Sequence, residues 1–373
     1  MVSHIDFNSA GKQPLNKVTY TPGTKDFLCT AGLSEEYSCQ VAYGFGDSAD
    51  PLKDVLIELF THPSHAESDI RPIKLSPGSD DTIGWLCTIG SLTSSQHAYV
   101  DNPHFRRAAF VAFFSLLQNR PYTKELGVNN EATVQISDLF DDELSILILH
   151  KPSVANSVSD SFVEILPSLH QYGFIPHSMY ASMPFELGKV AADMFLNSGK
   201  NLCLKLLSKD VGFSDFTSQV FRQLLPSAPT PLLRFFVYYQ LIETLLARIF
   251  SDRQSDTIMK LVEVKDNPFK VHPLIEKLKD DAKESKRMRL LFDEYSGTSA
   301  AMRDLLVACN DFLVANGAEE KELAAEALYG VRNIIFHDLR GIQDKAMPLL
   351  QDVTEQLGFA VTMLLVSFRT SQA

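Results

Sequence analysis

The chain is short of the features that usually place a protein quickly. Only five of its 373 residues are cysteine (Cys29, Cys39, Cys87, Cys203 and Cys309), widely scattered and with no Cys-x-x-Cys pair. An odd, dispersed set excludes a zinc framework and a disulfide scaffold, and it suits a reducing compartment. Tryptophan occurs once, at Trp85. Positive charge is scarce as well: 34 Lys and Arg stand against 46 Asp and Glu, a net charge of −12. From residue 225 onward the count is 18 basic against 21 acidic, which leaves 16 against 25 before it. Neither part is a nucleic-acid binder by bulk charge, although an enzyme that turns RNA over needs only a local positive strip. The longest apolar runs, 108–117 and 357–368, are too short to span a bilayer. The opening MVSHIDFNSAGK has no charged start followed by an apolar stretch, so no signal peptide is expected. These shortages together predict a soluble, cytoplasmic chain without membrane contact.

What remains is an ordinary globular balance, 45% hydrophobic and 21% charged, at a length that suggests two domains. Residues 1–26 read as an irregular lead-in. Lys12 after Gly11 lacks the leading glycine of a phosphate-binding loop. Strand patterns follow at 27–30, 37–45, 83–89 and 143–150, with a short apolar run at 55–60 that is either strand or helix, a short segment at 71–75 and Trp85 as a core residue. Asn102-Pro103 is a helix start, an N-cap followed by proline, for a helix to about residue 118. Arg106 and Arg107 near that start are read as a solvated face in preference to a phosphate contact. Asp138, Asp141, Asp142 and Glu143 flank the strand at 143–150 as acids do in metal-dependent nucleases, but the lysine two positions after an acid is missing. From residue 159 the pattern becomes helical, at 162–169, 186–197 and 216–225. Strands mixed with helices predict an α+β domain over 1–224 with a helical second half and a sensing or regulatory role.

Pro226, Pro229 and Pro231 form the clearest linker, and an all-α bundle is expected over 225–373. A long apolar helix at 232–249 holds Glu243 nearly alone among apolar neighbours, which suggests either an ion pair with Arg332, the preferred reading, or a side chain that simply points outward. A helix from Pro273 to about Tyr295 carries Lys283, Lys286 and Arg287 on one face, the best local positive strip, read as a solvated basic face ahead of an RNA-backbone contact. A third helix runs from about 299 to Asn316-Gly317. A last one, 345–368, is apolar nearly all round after Leu357 and must be covered.

The sharpest chemistry lies between these, in YGVRNIIFHD at 329–338 on a helix read as 318–338. Ala324, Ala327, Leu328, Val331 and Ile335 form its buried stripe. Glu322, Glu326, Tyr329, Asn333 and His337 share the opposite face. Asn333 and His337 are i, i+4 neighbours. Arg332 lies five residues before His337, about 140° around the axis, yet its long side chain can swing into the same groove. An imidazole moves protons near neutral pH, a guanidinium fork matches phosphate, and an amide orients either. Such parts can cut RNA without a metal.

Arg332-Asn333-Ile-Ile-Phe-His337 resembles the signature of the HEPN superfamily: an arginine, four to six residues, then a histidine, with a polar residue directly after the arginine. The resemblance covers about residues 225–373. It implies a helical bundle that forms a homodimer, in which two motifs meet as one composite ribonuclease site needing no cofactor. Arg332 and His337 would be catalytic and Asn333 would support them, with Tyr329, Lys283, Lys286 and Arg287 as candidate substrate contacts. Products would carry 2′,3′-cyclic phosphate ends. Many such proteins are toxins or antiviral-defence effectors controlled by an antitoxin or sensor partner. Others only bind, and a non-catalytic interaction or nucleotide-binding module is the alternative reading. Some HEPN toxins carry a tyrosine two residues after the histidine, where an antitoxin modifies it. Leu339 stands there in this chain, which argues against that regulation.

Overall fold

The computed structural model describes residues 17–21, 26–31, 35–40, 55–62, 64–65, 69–75, 81–94, 96–119, 139–151, 162–177, 189–211, 215–299, 302–342 and 346–370. The chain is mixed α/β, with strands concentrated in its N-terminal part and a mostly helical C-terminal part. It divides into two compact units that interleave along the sequence. The first holds Met1–Ser161, Gly173–Ser182 and Phe195–Leu204; the second holds Phe162–Tyr172, Met183–Met194 and Lys205–Ala373. The proline-rich stretch around Pro226–Pro231 therefore lies inside the second unit.

The first unit contains two sheets. Strands β1 (Lys17–Thr21), β2 (Asp26–Ala31) and β3 (Glu35–Gln40) form an antiparallel meander in that order. β1 falls in the stretch read from sequence as an irregular lead-in, because an alternation of only five residues, KVTYT, is masked by the Gly, Pro, Ser, Thr and Asn around it. The larger sheet comprises β4 (Val55–Thr61), β5 (Arg71–Lys74), β6 (Gly84–Thr88), β7 (Ser145–His150), β8 (Ile175–Pro176) and β9 (Leu202–Cys203). Their order is β8-β4-β7-β6-β5-β9, antiparallel except for β5 with β9. β7 is central, and its run SILIL is buried on both faces. A strand covered on both sides has no reason to alternate, which is why its sequence does not.

A short helix α1 (Ile89–Thr93) leads to α2 (Pro103–Asn119), capped by Asn102 Oδ1 accepting from the His104 and Phe105 amides. α2 places Phe105, Ala109, Phe113 and Leu116 against Ile57, Trp85, Ile146 and Ile148 in one core cluster. Gly84 is required by a close approach. A Cβ there would fall on the Ile148 carbonyl and the Leu149 side chain of the paired strand. Gly84→Ala is expected to destabilise this unit by about 2 kcal/mol, the usual cost of overpacking. The urea midpoint followed by Trp85 fluorescence checks it.

In the second unit, helix α3 (Leu166–Gln171) is followed by α4 (Lys189–Asn197), whose last turn belongs to the first unit, and by α5 (Asp215–Gln219), continued as a π turn to Leu224. Then come α6 (Pro231–Glu263), α7 (Pro268–Asp281), α8 (Glu284–Asp293), α9 (Arg303–Ala315), α10 (Ala324–His337) and α11 (Met347–Ser367). α6 begins where Thr230 caps the Leu233 amide and Pro231 takes the first helical position. It runs well past residue 249, because the polar stretch after it is also helical and carries an Asp256–Lys260 pair one turn apart.

The single helix expected from Pro273 to Tyr295 is two helices. Asn267-Pro268 starts α7, with Asn267 Oδ1 accepting from the Lys270 amide, so Pro273 sits inside that helix. Likewise α10 begins at Ala324, not near 318. Asn310 holds the backbone N–H and C=O of Lys321 at 2.9 and 2.8 Å, fixing the preceding turn as irregular chain.

α11 packs against α3, α6 and α9. It is longer than the apolar run at 357–368 and, by length and composition alone, could cross a membrane. Its Leu350, Val353, Leu357, Ala360, Val361 and Leu364 are nevertheless fully buried, as in the central helix of a bundle. Gly358 admits the ring of Tyr238, which a Cβ would meet at 2.9 Å.

Candidate active site

The site grows out of α10. Ala324, Ala327, Leu328, Val331 and Ile335 are buried, as the periodicity of the sequence predicts. Gly330 lets the Leu313 side chain of α9 come close, at 3.1 Å from where a Cβ would stand. The helix ends at His337, where Asp338 closes the last turn by donating its amide to Ile334 O. The three motif residues therefore lie on its final turn and a half, held by a buried stripe and a neighbouring helix.

The structure brings the motif side chains together. Arg332 Nη1 donates to His337 Nε2 at 3.0 Å and to Asn333 Oδ1 at 3.2 Å. Guanidinium has no acceptor, so this geometry requires a lone pair on Nε2 and places the ring proton of a neutral His337 on Nδ1. The guanidinium carbon lies 4.8 Å from the Phe336 ring centre and 5.9 Å from that of Tyr239. Phe336 meets Phe236 edge-on at 4.8 Å, so α6 supplies an aromatic wall beside the motif. The Arg332 side chain is only 16% exposed, whereas His337 is open to solvent. Tyr329 is half-buried, one turn before Asn333.

Sequence reasoning missed one neighbour. Glu284, in the first turn of α8, places Oε1 3.6 Å from Arg332 Nε and accepts from Tyr239 Oη at 2.8 Å. Burial and this carboxylate both push the Tyr239 phenol upward. The acid expected to pair with Arg332 was Glu243, but Glu243 accepts from Gln240 Nε2 at 2.7 Å. The correction has a plain cause. Glu243 stands out in an apolar segment, while Glu284 is hidden in a run of charges whose fold-back onto α10 only tertiary packing reveals.

The basic strip is already engaged. Lys283 pairs with Asp280 at 3.0 Å, and Lys286 pairs with Asp280 and with the fully buried Asp281. Arg287 donates to the Leu246 and Ala282 carbonyls, both at 3.3 Å. A phosphate reaching these groups would compete with those contacts.

Elsewhere, Asp141 and Glu143 are exposed and Asp142 is half-buried, while Asp138 lies outside the described residues. Among the described residues no three His, Cys, Asp or Glu side chains converge as a metal site would need. Arg106 and Arg107 are exposed in the first turns of α2. Lys12 also lies outside the described residues.

No family model, no curated protein and no solved structure matches this chain. A cation, an amide and an imidazole converge at the exposed end of one helix, with a carboxylate behind the cation. That set can hold a phosphodiester by the guanidinium and take or give a proton at Nε2.

Proposed function

We propose that the C-terminal helical region is a metal-independent endoribonuclease of HEPN type, acting as a homodimer with a composite site. The observation that carries this reading is the 3.0 Å contact between Arg332 Nη1 and His337 Nε2, made by the two residues of an R-x4-H motif. In the reaction, a ribose 2′-OH gives its proton to a His337 Nε2 and attacks the adjacent phosphorus. The bond from phosphorus to the 5′ oxygen breaks. Arg332 holds the non-bridging oxygens, where negative charge grows. The leaving 5′ oxygen takes a proton from the imidazole of the second copy, which must first have gained one from solvent as an imidazolium, giving a 2′,3′-cyclic phosphate and a 5′-OH. Because Nε2 is occupied by Arg332 in the resting arrangement, the incoming phosphate must draw the guanidinium away before the imidazole can act.

A toxin or antiviral-defence role, with the N-terminal strand-rich part sensing a trigger or a partner, is the setting that the HEPN resemblance suggests for a cytoplasmic enzyme of this kind. The competing reading is a non-catalytic helical interaction or nucleotide-binding module. It draws on the low exposure of Arg332 and on the engagement of its Nη1 by Asn333 and His337.

The test is cleavage of an end-labelled RNA pool by the full chain with excess chelator present. Cutting that leaves cyclic phosphate ends is expected. Cutting that stops on adding chelator would point instead to a metal-dependent nuclease, and no cutting with or without chelator would end the proposal in favour of the binding module.

A further inference from the structure

Glu284 has no part in the motif, yet its position relates directly to how Arg332 is aimed. The guanidinium has two usable edges. Its Nη1 end faces Asn333 and His337. Its Nε edge is turned inward, buried and without a hydrogen-bond acceptor. The atom that faces it is Glu284 Oε1, at 3.6 Å, just beyond bonding distance. That same oxygen is fixed from α6 by the Tyr239 hydroxyl at 2.8 Å. Glu284 itself stands in the first turn of α8, where a carboxylate is favoured by the helix dipole. Three helices thus converge behind one guanidinium, and the aromatic rings of Tyr239 and Phe336 limit where it can swing.

A charged N–H facing a carboxylate at 3.6 Å is an ion pair that resists being drawn away. A phosphate approaching from the His337 side would pull Arg332 off the imidazole. The attraction between the Nε edge and Glu284 Oε1 would then restrain the guanidinium and prevent it from following the substrate into solvent.

We infer that Glu284, oriented by Tyr239, is the positioning residue of this site: it clamps Arg332 by its Nε edge so that the Nη fork meets the scissile phosphate. Glu284 touches neither substrate nor proton, so it is not a catalytic residue. This inference rests on the ribonuclease reading and adds a role that the motif does not contain.

The experiment uses the full chain as wild type, Glu284→Gln and Tyr239→Phe, with thermal melts to establish that each variant is folded. Two quantities are read. The first is kcat and KM for an RNA oligonucleotide. The second is the solvent exchange rate of the Arg332 Nε–H in 15N-arginine-labelled protein, assigned with Arg332→Lys. Misaiming a phosphate clamp loses rate more than binding. Glu284→Gln is therefore expected to lower kcat about 10- to 100-fold with KM changed by less than about threefold. Tyr239→Phe, which keeps the carboxylate but frees it, is expected to lower kcat about fivefold. The Nε–H is expected to exchange at least about tenfold faster in Glu284→Gln than in wild type.

A Glu284→Gln enzyme with wild-type kcat, or one whose loss lies wholly in KM, overturns the inference. If wild type cuts no RNA, the ribonuclease reading falls, and the exchange rate alone then decides the clamp: equal rates in wild type and Glu284→Gln overturn it, and faster exchange in the variant upholds the contact without the nuclease.

Discussion

His337→Ala is expected to cut RNA about 10³-fold more slowly than wild type, with its helix content and thermal midpoint unchanged. The imidazole is exposed and its only described hydrogen bond is with Arg332, so removing it leaves no buried group unpaired. Arg332→Lys should fall nearly as far, by about 10²-fold. A lysine keeps the charge but loses the planar fork and the Nε edge that faces Glu284. Because the two residues act on one reacting centre, the double variant should be little slower than His337→Ala alone. Single-turnover cleavage of a labelled oligonucleotide measures all three. A His337→Ala protein that cuts at the wild-type rate would remove the imidazole from the reaction.

Acid is expected to weaken both units as pH falls from 6.5 towards 4. His65 lies in the first unit, with Nδ1 2.7 Å from Ser145 Oγ and Nε2 2.9 Å from the Asp69 carbonyl. Burial pushes it down to about 4, against the opposing pull of Asp69. His170 lies in the second unit, 2.7 Å from the Tyr238 hydroxyl, and burial with the nearby Arg234 charge also lowers it to about 4.

Folding thus favours the neutral ring. Above pH 6.5 both the folded and unfolded forms are neutral there, and the full stability is present. As pH falls from 6.5 towards 4 the unfolded chain takes up a proton that the folded one refuses, and stability drops. Below about 4 neither ring costs anything further. Each histidine accounts for up to about 3 kcal/mol over that window. Asp256 and Glu276 are shifted downward by their lysine neighbours, so their losses come at lower pH. Urea unfolding at pH 7, 6 and 5 tests this. Trp85 fluorescence reports the first unit, and far-ultraviolet circular dichroism reports the helical second. His170→Phe should flatten the acid slope of the helical signal, whatever it does to the plateau. An unchanged slope would show that His170 takes up its proton without cost.

Local signals made much of this legible. The buried stripe of α10, the Asn-Pro start of α2, the Asn316-Gly317 stop of α9 and the strand at β7 all follow from periodicity and capping. These depend on neighbours within a turn or two. Signals failed where two alternatives looked alike locally. Asn267-Pro268 and Pro273 both resemble helix starts, and only the former is one. The two-residue strands β8 and β9 exist because longer strands offer them an edge, so nothing in their own sequence announces them.

By itself the sequence determined the composition of the motif and the face on which it lies. Helix spacing sets Asn333 beside His337, and the length of the Arg332 side chain lets its guanidinium reach both. Tertiary structure decided what stands behind them. Glu284 rather than Glu243 meets Arg332, and Tyr239 holds that carboxylate in place. Asp280 and Asp281 occupy the lysines that looked free. The physical reason is range. Spacing along one helix fixes which side chains share a face, whereas the choice among many carboxylates for one guanidinium is made by how three helices pack.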